Sequence, residues 1–156
     1  MTERTIKVVE YSEAEKNAIK TLNYEWLENY FRVEESDVLS LNNPKEEIID
    51  KGGFIFYAKI GGQILGTISL LRKTDHLYEI GKMAVSSKAQ NQNIGTYLLE
   101  HCLQVAKERK IGTLILYSNT KLEAAIYLYR KYRFREIPLE EGLYERANIK
   151  MQKDLD

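Results

Sequence analysis

The stretch of this chain with the clearest chemical potential is the polar loop from Gln90 to Thr96. It follows an apolar strand, predicted over His76–Val85, and opens directly into an amphipathic helix, predicted over Gly95–Lys110. The first backbone N–H groups of a helix lack partners within the helix and lie at the positive end of its dipole. Such a junction binds phosphate groups, so the loop indicates a phosphate-bearing ligand.

The residues of this loop do not fit the two best-known nucleotide loops. The Gly-Lys-Ser/Thr ending of a P-loop is missing, and so is the Gly-x-Gly-x-x-Gly fingerprint of dinucleotide-binding domains. Taken alone, the loop is better explained as an ordinary turn between a strand and a helix. No metal site is expected, because His101 and Cys102 are neighbours on a helix and point in different directions.

The elements that must position this loop alternate between strands and helices. Ser12 and Glu15 predict a capping box at the start of a helix that ends near Phe31, and Asn43-Pro44 predicts a second helix. Gly61-Gly62 is typical of a two-residue hairpin. This order predicts an α/β fold with a mixed sheet. The predicted strands are Arg4–Glu10, Phe54–Ile60, Gln63–Leu71, His76–Val85, Thr113–Ser118, Arg133–Ile137 and Leu143–Met151, and the later helices are Gly95–Lys110 and Lys121–Tyr132.

Composition narrows the class of protein. The 156 residues predict a single domain over 1–156. Lys plus Arg equals Asp plus Glu at 23 each, which gives no support to a nucleic-acid or membrane partner. No apolar run approaches the ~18–20 residues that cross a bilayer, and the charged N-terminus does not resemble a signal peptide. With one cysteine, a cytoplasmic location is the expectation.

Two segments resemble motifs of the GNAT superfamily of acyl-CoA N-acyltransferases. Motif A is usually Gln/Arg-x-x-Gly-x-Gly/Ala at the start of a long helix, and Gln90, Asn93 and Gly95 fall at its positions. Motif B is usually Ser-Asn, then Ala-Ile-x-Leu-Tyr-x-Lys-x-Gly-Phe, which the segment from Ser118 to Phe134 resembles. Two motifs at the correct separation are more specific than either alone. The resemblance covers residues 53–151.

This chain departs from the family pattern at three positions. Asn91 and Asn93 stand where the family usually has glycine, and Arg133 replaces the glycine before Phe134. Asparagine is the residue that tolerates a left-handed backbone best after glycine, so the loop is feasible at a cost of about 1–2 kcal/mol if both residues are left-handed. The departures bear on cofactor affinity more than on cofactor identity.

The resemblance implies a GNAT-like fold and acetyl-CoA as the cofactor. The implied fold is a central, mostly antiparallel sheet of six or seven strands, splayed between strands four and five, with helices on both faces. The pantetheine arm would lie against the end of the fourth strand, and Asn119 would contact it or cap the next helix. The implied cofactor contacts are Met83, Ala84, Val85, Gln90, Asn91, Gln92, Asn93, Ile94, Gly95, Thr96, Asn119 and Tyr129.

The implied reaction moves an acetyl group from acetyl-CoA to a primary amine by direct attack in a ternary complex. At pH 7 only about one alkylamine in two thousand is unprotonated, so a base must accept its proton. Glu79 is the candidate base, and the alternative is a solvent-facing glutamate paired with Lys82 or Arg72. Tyr129 matches the family tyrosine that protonates the leaving thiolate, and its alternative is a core aromatic residue.

The acceptor is expected to be a small-molecule or peptide amine. Trp26, Tyr30 and Phe31 fall in the N-terminal helical region, which walls the acceptor side in this superfamily, whereas Glu25 and Glu28 are better explained as solvated charges. The sequence is compatible with a homodimer. It is also compatible with two other functions: a non-catalytic CoA-binding or regulatory module of the same fold, and an interaction domain that uses a tyrosine-rich surface without a cofactor.

Overall fold

Seven strands form one mixed sheet in this computed structural model, which describes residues 5–89 and 92–155 without the side chains of Asn29 and Tyr30. The strands are β1 (Ile6–Glu10), β2 (Phe54–Ile60), β3 (Gln63–Arg72), β4 (Leu77–Val85), β5 (Thr113–Ser118), β6 (Arg135–Ile137) and β7 (Ile149–Asp154). They lie in the order β1-β2-β3-β4-β5-β7-β6, and only the β4–β5 pair is parallel. The predicted fold class is confirmed.

Helices cover both faces of this sheet. The α-helices are α1 (Ala18–Tyr30), α2 (Glu35–Asn42), α3 (Ile94–Glu108) and α4 (Glu123–Lys131). Short 3₁₀ turns occupy Glu13–Glu15 and Ser87–Ala89, and a π-helical turn occupies Lys45–Ile49. One apolar core lies between the sheet and α3 with α4, and a second lies between the sheet and α1 with α2.

The residues of β2 show how the sheet takes part in both cores. Phe56 and Ala58 join the core beneath α3, whereas Ile55 and Tyr57 join the core beneath α1. Successive side chains of a strand point to opposite faces, so a strand covered on both sides needs an unbroken apolar run. The sequence FIFYAKI supplies that run.

The pairing of β4 with β5 stops partway along β4. Parallel pairs run from Leu77 with Thr113 to Ile80 with Leu116. Beyond that point β4 continues to Val85 along β3, and β5 continues along β7. The predicted opening between the fourth and fifth strands is therefore confirmed.

A β-bulge in β4 accompanies this opening. The register of β4 with β3 shifts between Thr67 and Ser69, and Lys82 in the shifted stretch has a left-handed φ of 53°. Bulges bend a strand and increase its twist, which carries the end of β4 away from β5. The Asn23 side chain of α1 donates to the Lys82 carbonyl at 3.1 Å and so supports the bend.

The N-terminal helices differ from the prediction. Ser12 caps no helix through its side chain among the described residues, because its hydroxyl donates to Glu15 Oε1 at 3.0 Å instead. The helix α2 was not predicted, and Asn43 is its C-terminal cap. The predicted helix after Asn43-Pro44 is present as the π-helical turn Lys45–Ile49, with Pro44 at its N-cap. The N-cap of α2 is Glu34, an uncommon residue at this position. The Asp37 side chain accepts the Glu34 N–H at 2.9 Å and so completes a capping box.

The predicted last strand over Leu143–Met151 was also wrong in its first half. β7 begins only at Ile149, and the residues before it form a loop. Leu143 and Glu145 are exposed while Tyr144 and Arg146 are partly buried, which imitates the alternation of a strand. The inward side chains bind polar groups of other elements, so the alternation has a different physical cause.

Candidate functional site

The opening between β4 and β5 forms a groove of about 920 Å³. Its walls are the end of β4, the start of α3, α4 and part of α1. Gln90 and Asn91 lie outside the described residues, and so does the side chain of Tyr30. The groove brings together the other predicted site residues, namely Trp26, Phe31, Glu79, Met83, Ala84, Val85, Gln92, Asn93, Ile94, Gly95, Thr96, Asn119 and Tyr129.

One end of the groove is the N-terminus of α3. Asn93 has a left-handed backbone, with φ 61° and ψ 22°, as expected for an asparagine in place of glycine. Its side chain makes no cap hydrogen bond among the described residues, and the Tyr97 N–H bonds to the Asn93 carbonyl at 3.1 Å. The N–H groups of Ile94, Gly95 and Thr96 belong to the turn without intrahelical acceptors, so this end of the groove favours an anion.

Two glycines set the space around this helix start. A Cβ on Gly66 of β3 would lie 2.6 Å from Ile94 Cγ2, so glycine there lets α3 pack against the sheet. A Cβ on Gly95 would meet Met83 Cε at 3.5 Å and Leu128 Cδ2 at 3.7 Å, which are ordinary contact distances. Glycine at position 95 therefore leaves room for about one methyl group between β4 and α4.

Tyr129 lies deep in the groove wall. It is 6% exposed, its hydroxyl points to Met83 Sδ at 3.9 Å, and its ring packs edge-on against Phe134. Burial raises the pKa of Tyr129 to about 12, with a smaller effect from Cys102. The hydroxyl thus keeps its proton at neutral pH and can act as a hydrogen-bond donor to a group in the groove.

Glu79 is a buried carboxylate, not the solvent-facing residue of the alternative interpretation. It is 3% exposed. The Tyr144 hydroxyl donates to Glu79 Oε2 at 2.9 Å, and Lys73 Nζ lies 3.1 Å from Oε1. The partners proposed in that alternative are elsewhere, since Lys82 pairs with Asp37 and Arg72 pairs with Asp75.

Asn119 connects the end of β5 to the loop before β7. Its side-chain N–H₂ donates to the Arg146 carbonyl at 2.8 Å, and its Oδ1 accepts the Lys121 N–H at 2.9 Å. The second bond is a local turn just before α4, which begins at Glu123. Asn119 therefore organises the groove wall while it also lines the groove.

Aromatic side chains from the end of α1 line the groove opposite α4. Trp26 and Phe31 pack edge-on with ring centroids 5.8 Å apart. Lys121 Nζ lies 5.7 Å from the centre of the Phe31 ring, so this wall contacts the segment before α4. Glu25 accepts the backbone N–H of Ser87 at 2.7 Å, which fixes the loop after β4 to α1.

Sequence reasoning missed a charged network beside the groove. Arg146 donates to both oxygens of Asp37 at 2.7 and 3.0 Å and to Glu34 at 2.6 Å. Lys82 Nζ lies 3.0 Å from Asp37 Oδ1. These residues are far apart in the chain and share no local pattern, so nothing in the sequence pointed to their contact.

Burial raises the pKa of Asp37, but the groups around it lower this pKa by more. The hydrogen bonds from Arg146 and the charge of Lys82 bring the pKa below its ordinary value. Asp37 is fully buried and Lys82 nearly so. The network thus joins α2, the bulge of β4 and the loop before β7 on one side of the groove.

Residues 5–89 and 92–155 hold neither a cluster of metal ligands nor a membrane-spanning helix. No three His, Cys, Asp or Glu side chains in these ranges are grouped to hold a metal ion. No helix in the same ranges is both long enough and apolar enough to cross a membrane.

Comparison with known proteins finds similarity in sequence and in structure. A family model described as the acetyltransferase (GNAT) family matches residues 20–134. An N-acetyltransferase 8 of Rattus norvegicus is 27% identical over 97 residues, which are 59% of this chain and 44% of the rat protein. The chain thus matches less than half the length of this relative.

Solved structures share the whole architecture. A GNAT-family acetyltransferase from Staphylococcus aureus Mu50 superposes with a TM-score of 0.86 and 25% identity, over 97% of this chain and 100% of that chain. The PaiA N-acetyltransferase of Thermoplasma acidophilum, solved in complex with coenzyme A, has a TM-score of 0.77 and 16% identity, over 97% of this chain and 99% of that chain. The second likeness concerns the fold alone.

Proposed function

Because the chain belongs to the acetyltransferase (GNAT) family, we propose that it transfers an acetyl group from acetyl-CoA to a primary amine. The observation that carries the proposal is the groove at the β4–β5 opening, where the N-terminus of α3, Glu79 and Tyr129 line one cavity. Direct attack of the amine on the thioester requires three groups in one cavity: donors for the phosphates of the cofactor, a base for the amine proton and a hydrogen-bond donor for the leaving sulfur. We infer that residues 1–156 act as a single N-acetyltransferase domain.

Acetyl-CoA is the cofactor, and the residues around the groove fit it. The backbone N–H groups from Gln92 to Thr96 would bind the pyrophosphate, and Gln90 and Asn91, which lie outside the described residues, are further candidates. The end of β4, from Met83 to Val85, would hold the pantetheine arm. Support comes from the left-handed Asn93 and from the space at Gly95. When bound, the cofactor supplies an activated acetyl group as a thioester.

Glu79 accepts the proton of the acceptor amine. An alkylammonium has a pKa of about 10.4, so nearly all of the acceptor is protonated at pH 7 and a group at the site must accept its proton before the attack. The supporting observations are that Glu79 lines the groove and that its carboxylate is held by only two groups among the described residues, the Tyr144 hydroxyl at Oε2 and the Lys73 ammonium 3.1 Å from Oε1. The ammonium N–H breaks, an O–H forms on Glu79, and the electron pair stays on nitrogen for the attack.

Tyr129 stabilises the leaving sulfur by hydrogen bonding. With a pKa of about 12 for Tyr129, full proton transfer to a thiolate of ordinary pKa near 8.5 is uphill by about 5 kcal/mol. A hydrogen bond to the developing negative charge carries no such cost. The contact of the hydroxyl with Met83 supports this role, because β4 would hold the thioester arm in this proposal.

The acceptor is a small-molecule or peptide amine that enters beside the aromatic wall. Trp26 and Phe31 line this wall, with Tyr30 as a further candidate. Glu25 does not recruit the amine in this proposal, since its carboxylate already binds the Ser87 N–H.

A thiol-release assay with acetyl-CoA over a panel of amines tests the proposal. The panel contains polyamines, arylalkylamines, amino acids and peptides with free N-termini. Amine-dependent release of free CoA supports the enzyme. Calorimetric binding of acetyl-CoA without release by any amine would instead favour the non-catalytic CoA-binding module, for which Asn93 and the left-handed Arg133 are the relevant departures.

A further inference from the structure

Glu79 is held by two groups from outside its own strand. The Tyr144 hydroxyl, from the loop before β7, donates to Oε2 at 2.9 Å. Lys73 Nζ, from the turn between β3 and β4, lies 3.1 Å from Oε1. The sequence analysis assigned no role to Tyr144 or Lys73, and Tyr144 is 65 residues from Glu79 in the chain.

We propose that Tyr144 is a positioning residue that fixes the Glu79 carboxylate for acceptance of the amine proton. The inference rests on the proposed function, because it assigns Tyr144 a task in that reaction. Tyr144 acts through Glu79 and needs no contact with the cofactor.

The surroundings of Tyr144 fix its ring, so the hydroxyl has a defined direction. Its ring packs edge-on against Tyr117 of β5 with centroids 5.2 Å apart. The guanidinium of Arg146 lies 5.7 Å from the ring centre, and Arg146 is itself held by Asp37 and Glu34. The loop before β7 is therefore tied to α2 at the point where it delivers the hydroxyl to Glu79.

The protonation state of Tyr144 suits a permanent donor. Burial raises the pKa of Tyr144 above its ordinary range, and the charge and hydrogen bond of Glu79 raise it further. The phenol keeps its proton throughout the neutral pH range. It can hold Glu79 but cannot take the proton from the amine.

The Glu79 carboxylate has hydrogen-bond acceptor positions that its present partners do not use. Each carboxylate oxygen accepts about two hydrogen bonds. Oε2 has the Tyr144 bond, and Oε1 has the Lys73 ammonium at 3.1 Å. Each oxygen thus keeps an acceptor position for the amine proton, while Tyr144 remains bonded to Oε2 before and after the transfer.

The charged and titratable groups around Glu79 among the described residues come from two segments. Lys73 faces it from the β3–β4 turn and Tyr144 from the loop before β7, with Arg146 behind the Tyr144 ring. The strand neighbours of Glu79 are the apolar residues Leu71 and Ile115. Any change in the proton affinity of Glu79 on substitution of Tyr144 is therefore traceable to this hydroxyl.

The first test compares pH profiles of kcat/KM for the wild type, Tyr144→Phe and the matched control Tyr117→Phe. Tyr117 packs on Tyr144, but its hydroxyl bonds to Glu140. Loss of a hydrogen bond to an ionised carboxylate moves the acidic limb of the Tyr144→Phe profile up by about one to two pH units. The limb of Tyr117→Phe stays at the wild-type position. Equal shifts in both variants overturn the proposal.

The second test measures Glu79 directly in the ligand-free protein. Carbon-13 NMR follows the titration of the Glu79 carboxyl group, assigned by its disappearance in Glu79→Gln. A higher titration midpoint in Tyr144→Phe supports the proposal, and an unchanged midpoint overturns it. This readout needs no turnover, so a shifted midpoint in a protein that acetylates no amine would reject the proposed function and leave the Tyr144–Glu79 coupling intact.

A double-substitution cycle guards against a merely structural effect. If Tyr144 acts through Glu79, adding Tyr144→Phe to Glu79→Gln lowers kcat no further. If Tyr144 instead supports only the fold of the loop, its substitution costs the same in both backgrounds, and the proposal fails. Circular dichroism of each variant confirms that the fold is retained.

Discussion

At the scale of single residues, burial determines which form of each candidate side chain is available. Tyr129 and Glu79 are both nearly inaccessible to solvent, yet both line the groove. Burial keeps Tyr129 protonated as a donor. Glu79 differs because Tyr144 and Lys73 lie beside its carboxylate. These partners offset the free-energy cost of burying a charge, which an isolated carboxylate would carry in full.

Replacement of Tyr129 by phenylalanine tests its role as donor. Because Tyr129→Phe removes only the hydroxyl, we expect kcat to fall by roughly 10- to 10⁴-fold while the Kd for CoA changes little. Steady-state kinetics and calorimetry measure the two quantities. Tyr132→Phe, one residue after α4, is the control, and a wild-type kcat in Tyr129→Phe would remove the hydroxyl from the mechanism.

The left-handed Arg133 is a residue-scale cost that can be measured. Its φ is 70°, and the Phe134 N–H bonds back to the Tyr129 carbonyl at 3.0 Å, as at many helix ends that use glycine. Arg133→Gly should therefore raise the free energy of unfolding by about 1 kcal/mol. Urea denaturation gives the value.

The control for this prediction is Arg130→Gly, inside the same helix. Arg130 is exposed and helical, so glycine there should lower stability by about 1 kcal/mol. Equal signs for the two substitutions would show that backbone strain at position 133 is not the determining effect.

At the scale of elements, the groove is shaped by contacts between segments that are distant in sequence. Asp37 of α2 binds Lys82 at the bulge of β4 and Arg146 in the loop before β7. Removal of the Asp37 charge would take the ion pair from the nearly buried Lys82 and leave Arg146 with Glu34 alone, which is costlier than the loss of an exposed ion pair. The network therefore fixes the relative positions of three elements on one side of the groove.

Asp37→Asn should lower the free energy of unfolding by about 3 kcal/mol at neutral pH. The pKa of Asp37 is lowered in the folded protein, so its contribution is present above the unfolded-state pKa and is lost as the pH falls through the folded-state pKa. The difference between wild type and variant should therefore shrink below about pH 4.

Denaturation at several pH values measures this difference. Asp75→Asn is the matched control, because Asp75 pairs with Arg72 on an exposed turn, and little change is expected there. A difference between wild type and Asp37→Asn that stays constant down to pH 3 would contradict the ionic role of Asp37.

At the scale of the whole molecule, one feature of the sheet creates the site. The β4–β5 pairing covers only the first part of β4, and two helices and an aromatic wall meet where it ends. A strand edge without a neighbour usually invites aggregation, whereas here a ligand occupies the gap in the proposed function.

Acetyl-CoA should stabilise the whole fold through this gap. At a ligand concentration about 100 times Kd, the free energy of unfolding should rise by about 2.7 kcal/mol, or roughly 5–10 °C in Tm. Hydrogen exchange should slow mainly at Met83 to Val85 and Gln92 to Thr96. Desulfo-CoA should give a comparable shift, and no shift with either compound would favour an interaction domain without a cofactor.

The sequence by itself determined the local elements and the motif that points to the family. The limits of β2 and β5 agree with the prediction because apolar runs between glycines and polar turns encode strands locally. The left-handed Asn93 was also predictable, since asparagine replaces glycine there at a strand-to-helix junction. These are properties of neighbouring residues in the chain.

Only the tertiary structure decided which side chains surround Glu79 and which contacts hold the groove wall beside it. Tyr144 and Arg146 lie in a loop whose alternation imitates a strand, and their partners Glu79 and Asp37 are 65 and 109 residues away. Such contacts depend on the path of loops and on packing between elements, which no local periodicity encodes. Residues that line the groove were therefore predictable from the sequence, whereas the polar contacts that support them were not.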